Sequence, residues 1–183
     1  HHGTPVADTA GFLAACNAEL LFETSPTSIT DGQPSLSYIM AALEKGMHVV
    51  TANKGPVAFG LRQIRELAAK KGVGFMHEAT VMGGAPVMSL VRESMPATGI
   101  KRVRGIFNST TNYILSAMEQ NNVTFAQALR AAQEIGIAET DPTLDIDGWD
   151  SAVKTAIVAN VFMGASLTPQ DVNPVGIRDL ALE

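Results

Sequence analysis

The chain has 183 residues, 46% of them apolar, and a formal net charge of −5. That length and apolar share suit one packed core or two small lobes and exclude intrinsic disorder. They also exclude a membrane span, which needs about 20 consecutive apolar residues, and a nucleic-acid partner, because Lys101, Arg102 and Arg104 cluster without interleaved aromatics and no basic stripe appears elsewhere.

His1-His2-Gly3 lacks the charged-then-apolar order of a signal peptide and reads as the remnant of a histidine tag. Residues 9–17 read as a short helix. Cys16, the one cysteine, lies in this Ala-rich stretch. It excludes an internal disulfide, fits a reducing, cytoplasmic compartment, and reads as a small core residue rather than a nucleophile. Glu19–Thr24 reads as a buried strand ended by Ser25-Pro26, and Ser35–Lys45 as a helix ended by Gly46. Met47–Thr51 is a second strand. Val57–Lys71 follows as a helix with Leu61, Ile64 and Leu67 inside and Arg62, Arg65, Lys70 and Lys71 outside. Gly72 closes it, and Val73–Glu78 is a third strand. Strands and helices alternating at this spacing predict βαβ crossovers and a parallel sheet. Ligands of such sheets gather at the carboxyl ends of the strands. Thr24–Thr27, Thr51–Gly55 and Glu78–Pro86 lie there.

The second half changes character near Gly83-Gly84, which divides the chain into residues 1–83 and 84–183. Lys101–Asn108 alternates as a strand. Thr110–Gln120, Thr124–Ile135 and Trp149–Met163 carry helical patterns, and Thr124 with Gln127 matches a capping box.

Four segments carry chemistry. Thr51-Ala52-Asn53-Lys54-Gly55 follows a strand and offers two hydrogen-bonding groups and a cation, or simply a turn with an exposed lysine. Glu78-Ala79-Thr80-Val81-Met82-Gly83-Gly84-Ala85-Pro86 offers one carboxylate and backbone carbonyls to a hard cation, or a tight turn into the next helix. Gly105–Tyr113 runs through Asn108-Ser109-Thr110-Thr111 into a helix, whose first N–H groups favour a carboxylate; Ser109 or Thr110 is the expected N-cap.

Glu139–Lys154 is the richest segment. It places Glu139, Asp141, Asp145, Asp147 and Asp150 ahead of Lys154. Asp150 and Lys154 are four apart and share a helix face. A lysine so held serves as proton donor and acceptor if its site tunes it; the plain alternative is an acidic loop with a surface ion pair. A calcium loop laid on Thr143–Gly148 fails, because Thr143 takes the first ligand position and Lys154 the place of the bidentate glutamate.

Taken together, T-A-N-K, E-A-x-V-x-G-G-x-P, G-I-x-N-x-T-T-N-Y-I-L and E-x-D-P-x-x-D-x-x-G-x-D-x-x-x-K occur in this order. From about Ser25 to the closing Gly176-Ile177-Arg178-Asp179-Leu180, the chain resembles homoserine dehydrogenase. The resemblance implies an α/β fold: part of a Rossmann-type parallel sheet, then an α+β catalytic and dimerisation domain. It implies NAD- or NADP-dependent interconversion of L-aspartate 4-semialdehyde and L-homoserine, on the way to threonine and methionine, by a cytoplasmic homodimer. Lys54 and Lys154 would be the catalytic lysines, with Lys154 as general acid and Asp150 holding it. Glu139 would receive the substrate ammonium and Asp145 would complete that wall. Ser109 and Thr110 would sit at the substrate, and Asn53, Thr51 and Lys54 by the cofactor. Glu78 with the carbonyls of Val81, Gly83 and Ala85 matches the family's monovalent cation site, usually sodium.

Three departures qualify the match. Ser109 stands where the family's motif has glycine, which narrows the pocket and raises another semialdehyde as substrate. The family's G-x-G-x-x-G-type phosphate loop is not found before Glu19, and the family's catalytic domain continues beyond Glu183. The chain is therefore expected to be the middle of an enzyme, cut at both ends and poor at binding NAD(P)H alone; a non-catalytic dimerisation or regulatory module is the rival from another class.

Overall fold

The computed structural model describes residues 5–180, so the tag-like His1-His2-Gly3 lies outside the described residues. The chain opens with α1 (Thr9–Ala15), capped by the Asp8 carboxylate on the Gly11 amide at 2.7 Å. β1 (Leu20–Glu23), α2 (Ser35–Glu44), β2 (His48–Thr51), α3 (Lys54–Lys71) and β3 (Phe75–Met76) follow. The three strands form a parallel sheet in the order β1-β2-β3. Leu20 stands opposite His48, Glu23 opposite Thr51, and Val49 opposite Phe75. Parallel neighbours need crossovers, and α2 and α3 supply them, as the alternation of patterns predicts.

α2 and α3 cover the sheet through Ile39, Leu43, Val49 and Ile64, all fully buried. Burying each such side chain contributes about 1.5–3 kcal/mol. β1 departs from expectation. Leu20 and Phe22 are exposed among the described residues, and the alternation turns Glu23 inward instead. β3 is shorter than expected because Glu78 enters a 3₁₀ turn, Glu78–Thr80.

α3 begins three residues earlier than its apolar pattern does. Asn53 caps it, and Pro56 falls in the first turn, where its missing N–H would have no intrahelical partner. Gly55 is required here: a Cβ would meet the Ser28 carbonyl oxygen at 2.5 Å. Gly72 closes the helix in the left-handed region, as predicted.

The second half contains α4 (Val87–Ser89), which widens into a π-type turn over Leu90–Ser94, then α5 (Ser109–Asn121), α6 (Phe125–Glu134), α7 (Thr143–Ile146) and α8 (Trp149–Met163). The Thr124–Gln127 capping box is formed. Lys101–Asn108 is not a strand. Its residues carry no regular secondary structure and are mostly exposed, Ile106 at 69%, and no described strand pairs with them. Alternation alone does not make a strand without a ladder partner.

α5, α6 and α7 pack around Ile114, Met118, Ala132 and Ile146. α3 packs on α8 through Val57, Leu61, Val153 and Ile157. This seam joins the two halves and sets the start of α3 beside the start of α8. Gly148, at φ +85°, makes the left-handed turn that launches α8.

Candidate active site

The carboxyl ends of β1 and β2 carry a closed polar network. Buried Glu23 accepts hydrogen bonds from the Ser25 amide and hydroxyl and, at 2.8 Å, from the Thr51 hydroxyl. The Asn53 side-chain amide donates to the Ser25 carbonyl at 3.0 Å and to Ser35 Oγ at 2.9 Å, while its Oδ1 accepts from the Gly55 amide. Thr51 and Asn53 are buried, and their side-chain polar atoms are engaged inside the protein. In this geometry they are scaffold: they hold the first residue of α3, Lys54, at the mouth of the crevice.

Lys54 Nζ lies 2.9 Å from Asp150 Oδ1, and Lys154 Nζ lies 2.8 Å from Asp150 Oδ2. One carboxylate is thus shared by two lysines, one on each oxygen. Its side chain is only 11% exposed. Burial works to raise the Asp150 pKa, but hydrogen bonds from Lys154, Asn108 and Lys54 prevail and hold it below the usual carboxylate range. The start of α8 adds to this, since helix N-termini favour negative charge. Lys154 also donates to the Phe107 carbonyl at 2.7 Å. An ammonium has three N–H donors, so Lys154 keeps one for a ligand.

Asn108 completes the cluster. Its Nδ2 donates to Asp145 Oδ1 at 2.7 Å and to Asp150 Oδ2 at 3.0 Å, and its Oδ1 accepts from the Thr111 amide at 2.8 Å. The N-cap of α5 is therefore Asn108, not Ser109 or Thr110. Asparagine is a strong N-cap, and that preference was the available signal for its position; its bond to the carboxylates spans residues far apart in sequence.

The five clustered carboxylates sort into separate tasks. Asp147 pairs with Arg178, and Asp141 Oδ1 accepts from the Thr143 amide at 3.2 Å. Asp145 and Asp150 meet on Asn108. Glu139, Asp141, Asp145, Asp150 and Lys54 line one cleft of about 180 Å³, together with Thr27 and the apolar Ile29, Pro142 and Leu144. Gln133 Nε2 holds the loop beside it by donating to the carbonyls of Glu139 and Thr140. The cleft joins a wall of carboxylates to a lysine-bearing corner. Such a cleft can bind a small cationic group at one end and exchange a proton at the other.

Other expected positions lie apart from this corner. The Thr110 hydroxyl is buried and donates to the Ile137 carbonyl at 3.2 Å, and Ser109 is exposed at the first position of α5. Glu78 accepts from the Met88 amide at 2.8 Å, the Ser89 amide at 3.0 Å and the Ser89 hydroxyl at 2.6 Å. The Ala85 carbonyl accepts from the Val87 amide at 2.9 Å, Val81 is buried and Gly83 exposed. Glu78 thus satisfies the first free amides of α4. Among the described residues no cluster of His, Cys, Asp and Glu is placed to hold a metal ion.

Comparison with known proteins places this geometry in a family. The family model described as homoserine dehydrogenase matches residues 86–183. A homoserine dehydrogenase of Methanocaldococcus jannaschii is 44% identical over 167 residues, 91% of this chain and 50% of that protein. An NAD(+)-dependent homoserine dehydrogenase of Pseudomonas canavaninivorans is 40% identical over 181 residues, 99% of this chain and 51% of that protein. The crystal structure of a homoserine dehydrogenase from Thiobacillus denitrificans superposes with a TM-score of 0.80 at 36% identity, covering 88% of this chain and 37% of that one. The chain spans about half the length of the two sequence relatives.

Proposed function

We propose, from the premise that this chain belongs to the homoserine dehydrogenase family, that the full-length protein interconverts L-aspartate 4-semialdehyde and L-homoserine, and that the Lys54–Asp150–Lys154 cluster handles the proton. The observation that carries this reading is the single carboxylate bracketed by two lysines at 2.9 and 2.8 Å, at the end of an acidic cleft.

A nicotinamide cofactor, NAD or NADP, would supply or accept the hydride at the substrate's C4 when bound. The chain's residues do the rest. Glu139 and Asp145 take the α-ammonium; a charge-assisted bond of this kind orients as well as binds. Lys154 delivers a proton to the oxygen that becomes the homoserine hydroxyl and recovers it in the reverse direction. Asp150 keeps Lys154 aimed and compensates its charge. Lys54, on the other oxygen of Asp150, fixes that carboxylate and lends a second cation to the developing alkoxide. Thr51 and Asn53 support the reading by holding Lys54 at the strand ends, where sheets of this class take their ligands.

A cytoplasmic homodimer completes the proposal. No helix among the described residues is long and apolar enough to cross a membrane. The 101–107 segment exposes Val103 and Ile106, apolar side chains suited to cover by another strand.

The test is a substrate panel on the full-length protein. Oxidation of L-homoserine with NAD or NADP, well above that of other hydroxy amino acids, is the expected result. Preference for a different hydroxy amino acid would displace homoserine as substrate.

A further inference from the structure

We infer that Asn108 is a positioning residue for the reaction: its side-chain amide ties the ammonium-binding wall at Asp145 to the proton-handling carboxylate of Asp150, so that the two ends of the substrate cleft keep a fixed separation. The inference rests on the functional reading above and adds a residue to it.

The geometry leaves no freedom in how this side chain is read. Carboxylates only accept hydrogen bonds and a backbone N–H only donates. Nδ2 must therefore face Asp145 and Asp150, at 2.7 and 3.0 Å, and Oδ1 must face the Thr111 amide, at 2.8 Å. Asn108 is 6% exposed. Both of its N–H groups and its oxygen are used, which locks its rotamer. Asp145 and Asp150 belong to α7 and to the first turn of α8, which Gly148 separates. Two carboxylates held this close repel each other, and a neutral donor between them offsets that repulsion without adding a charge. Lys154 and Asn108 share Asp150 Oδ2, which leaves Oδ1 for Lys54. Loss of the amide would let Asp150 rotate away from this division and would remove a bond that favours its ionised form.

Two substitutions separate positioning from helix capping, because serine and aspartate are both good N-caps. In the full-length protein, Asn108→Ser should keep the thermal midpoint close to wild type and lower kcat by roughly 10–100-fold, the effect of losing hydrogen bonds to charged groups. Its KM for the amino-acid substrate should rise as well, and the acid limb of its pH profile should move to higher pH. Asn108→Asp should do the same more strongly, since it adds a third carboxylate. In wild-type protein, the Asn108 side-chain amide resonance should shift through the acid titration of Asp150. An unmoved acid limb in both variants, wild-type kcat in either, or an amide resonance flat through that titration would overturn the inference. Lys154→Ala in the same assay keeps the two readings apart: an inactive Lys154→Ala beside a normal Asn108→Ser sinks this inference alone, whereas a fully active Lys154→Ala sinks the functional reading.

Discussion

Lys54, the first residue of α3, and Asp150, in the first turn of α8, meet at 2.9 Å. The contact joins the strand-end crevice of the first half to the acidic segment of the second. It depends on the α3–α8 seam, where Val57 and Leu61 pack near Val153 and Ile157. Fold and chemistry are coupled at this point: α3 cannot shift along α8 without pulling Lys54 off the carboxylate it shares with Lys154.

Asp150→Asn should leave two ammonium groups facing a neutral amide. Turnover in the full-length protein should fall by roughly 10²-fold or more, the usual worth of an oriented acid–base partner. Its pH dependence has a defined sign. The folded-state pKa is depressed, so the stabilisation is complete above the ordinary carboxylate range and is lost as pH falls below about 4. Thermal midpoints measured from pH 3 to 7 should therefore drop less steeply at the acid end for Asp150→Asn than for wild type. Parallel curves would remove the linkage.

Glu139→Gln should weaken binding of the amino-acid substrate more than it slows the saturated enzyme, because it removes a charge-assisted bond to the ammonium. A simple aldehyde without the amino group should be affected little. Steady-state kinetics with both substrates check this, and equal losses would assign Glu139 a structural part.

His77 sits beside the sheet, 7% exposed, with its Nδ1 unpaired among the described residues. Burial and, secondarily, the charge of Arg65 push its pKa down to about 4. The unfolded chain binds a proton near pH 6.5 that the folded protein refuses. Stability is thus complete above about pH 6.5 and declines toward pH 4, by on the order of 3 kcal/mol in all at 1.36 kcal/mol per pH unit. An NMR titration of the imidazole should give a midpoint near 4. His77→Phe should flatten the stability curve between pH 4 and 6.5; an ordinary imidazole midpoint would contradict both expectations.

Much of this was legible in the residues. The order of strands and crossovers follows from local patterning: Leu61, Ile64 and Leu67 do face the core, and Gly72 does close α3. The pairing of Asp150 with Lys154 is a matter of helical spacing and was open to reading. Local pattern could not supply what depends on distant partners. Lys101–Asn108 alternates as a strand does, yet pairing is decided by what lies alongside. Asn53 and Thr51 carry polar groups that look available until Glu23 and Ser35 are seen to take them. Asn108 reads as one polar residue among four, and its place between two carboxylates emerges only when α5, α7 and α8 converge.

The most direct measurement of the central claim is nicotinamide-coupled oxidation of L-homoserine by the full-length protein carrying Lys154→Ala. Lys154 holds Asp150 at 2.8 Å and the Phe107 carbonyl at 2.7 Å, with one N–H left for the substrate oxygen. The account predicts that kcat falls by roughly 10²–10⁴-fold while KM for homoserine changes much less, since binding rests on the Glu139 and Asp145 wall. A variant that turns over homoserine at near the wild-type rate would contradict it and remove Lys154 from the chemistry.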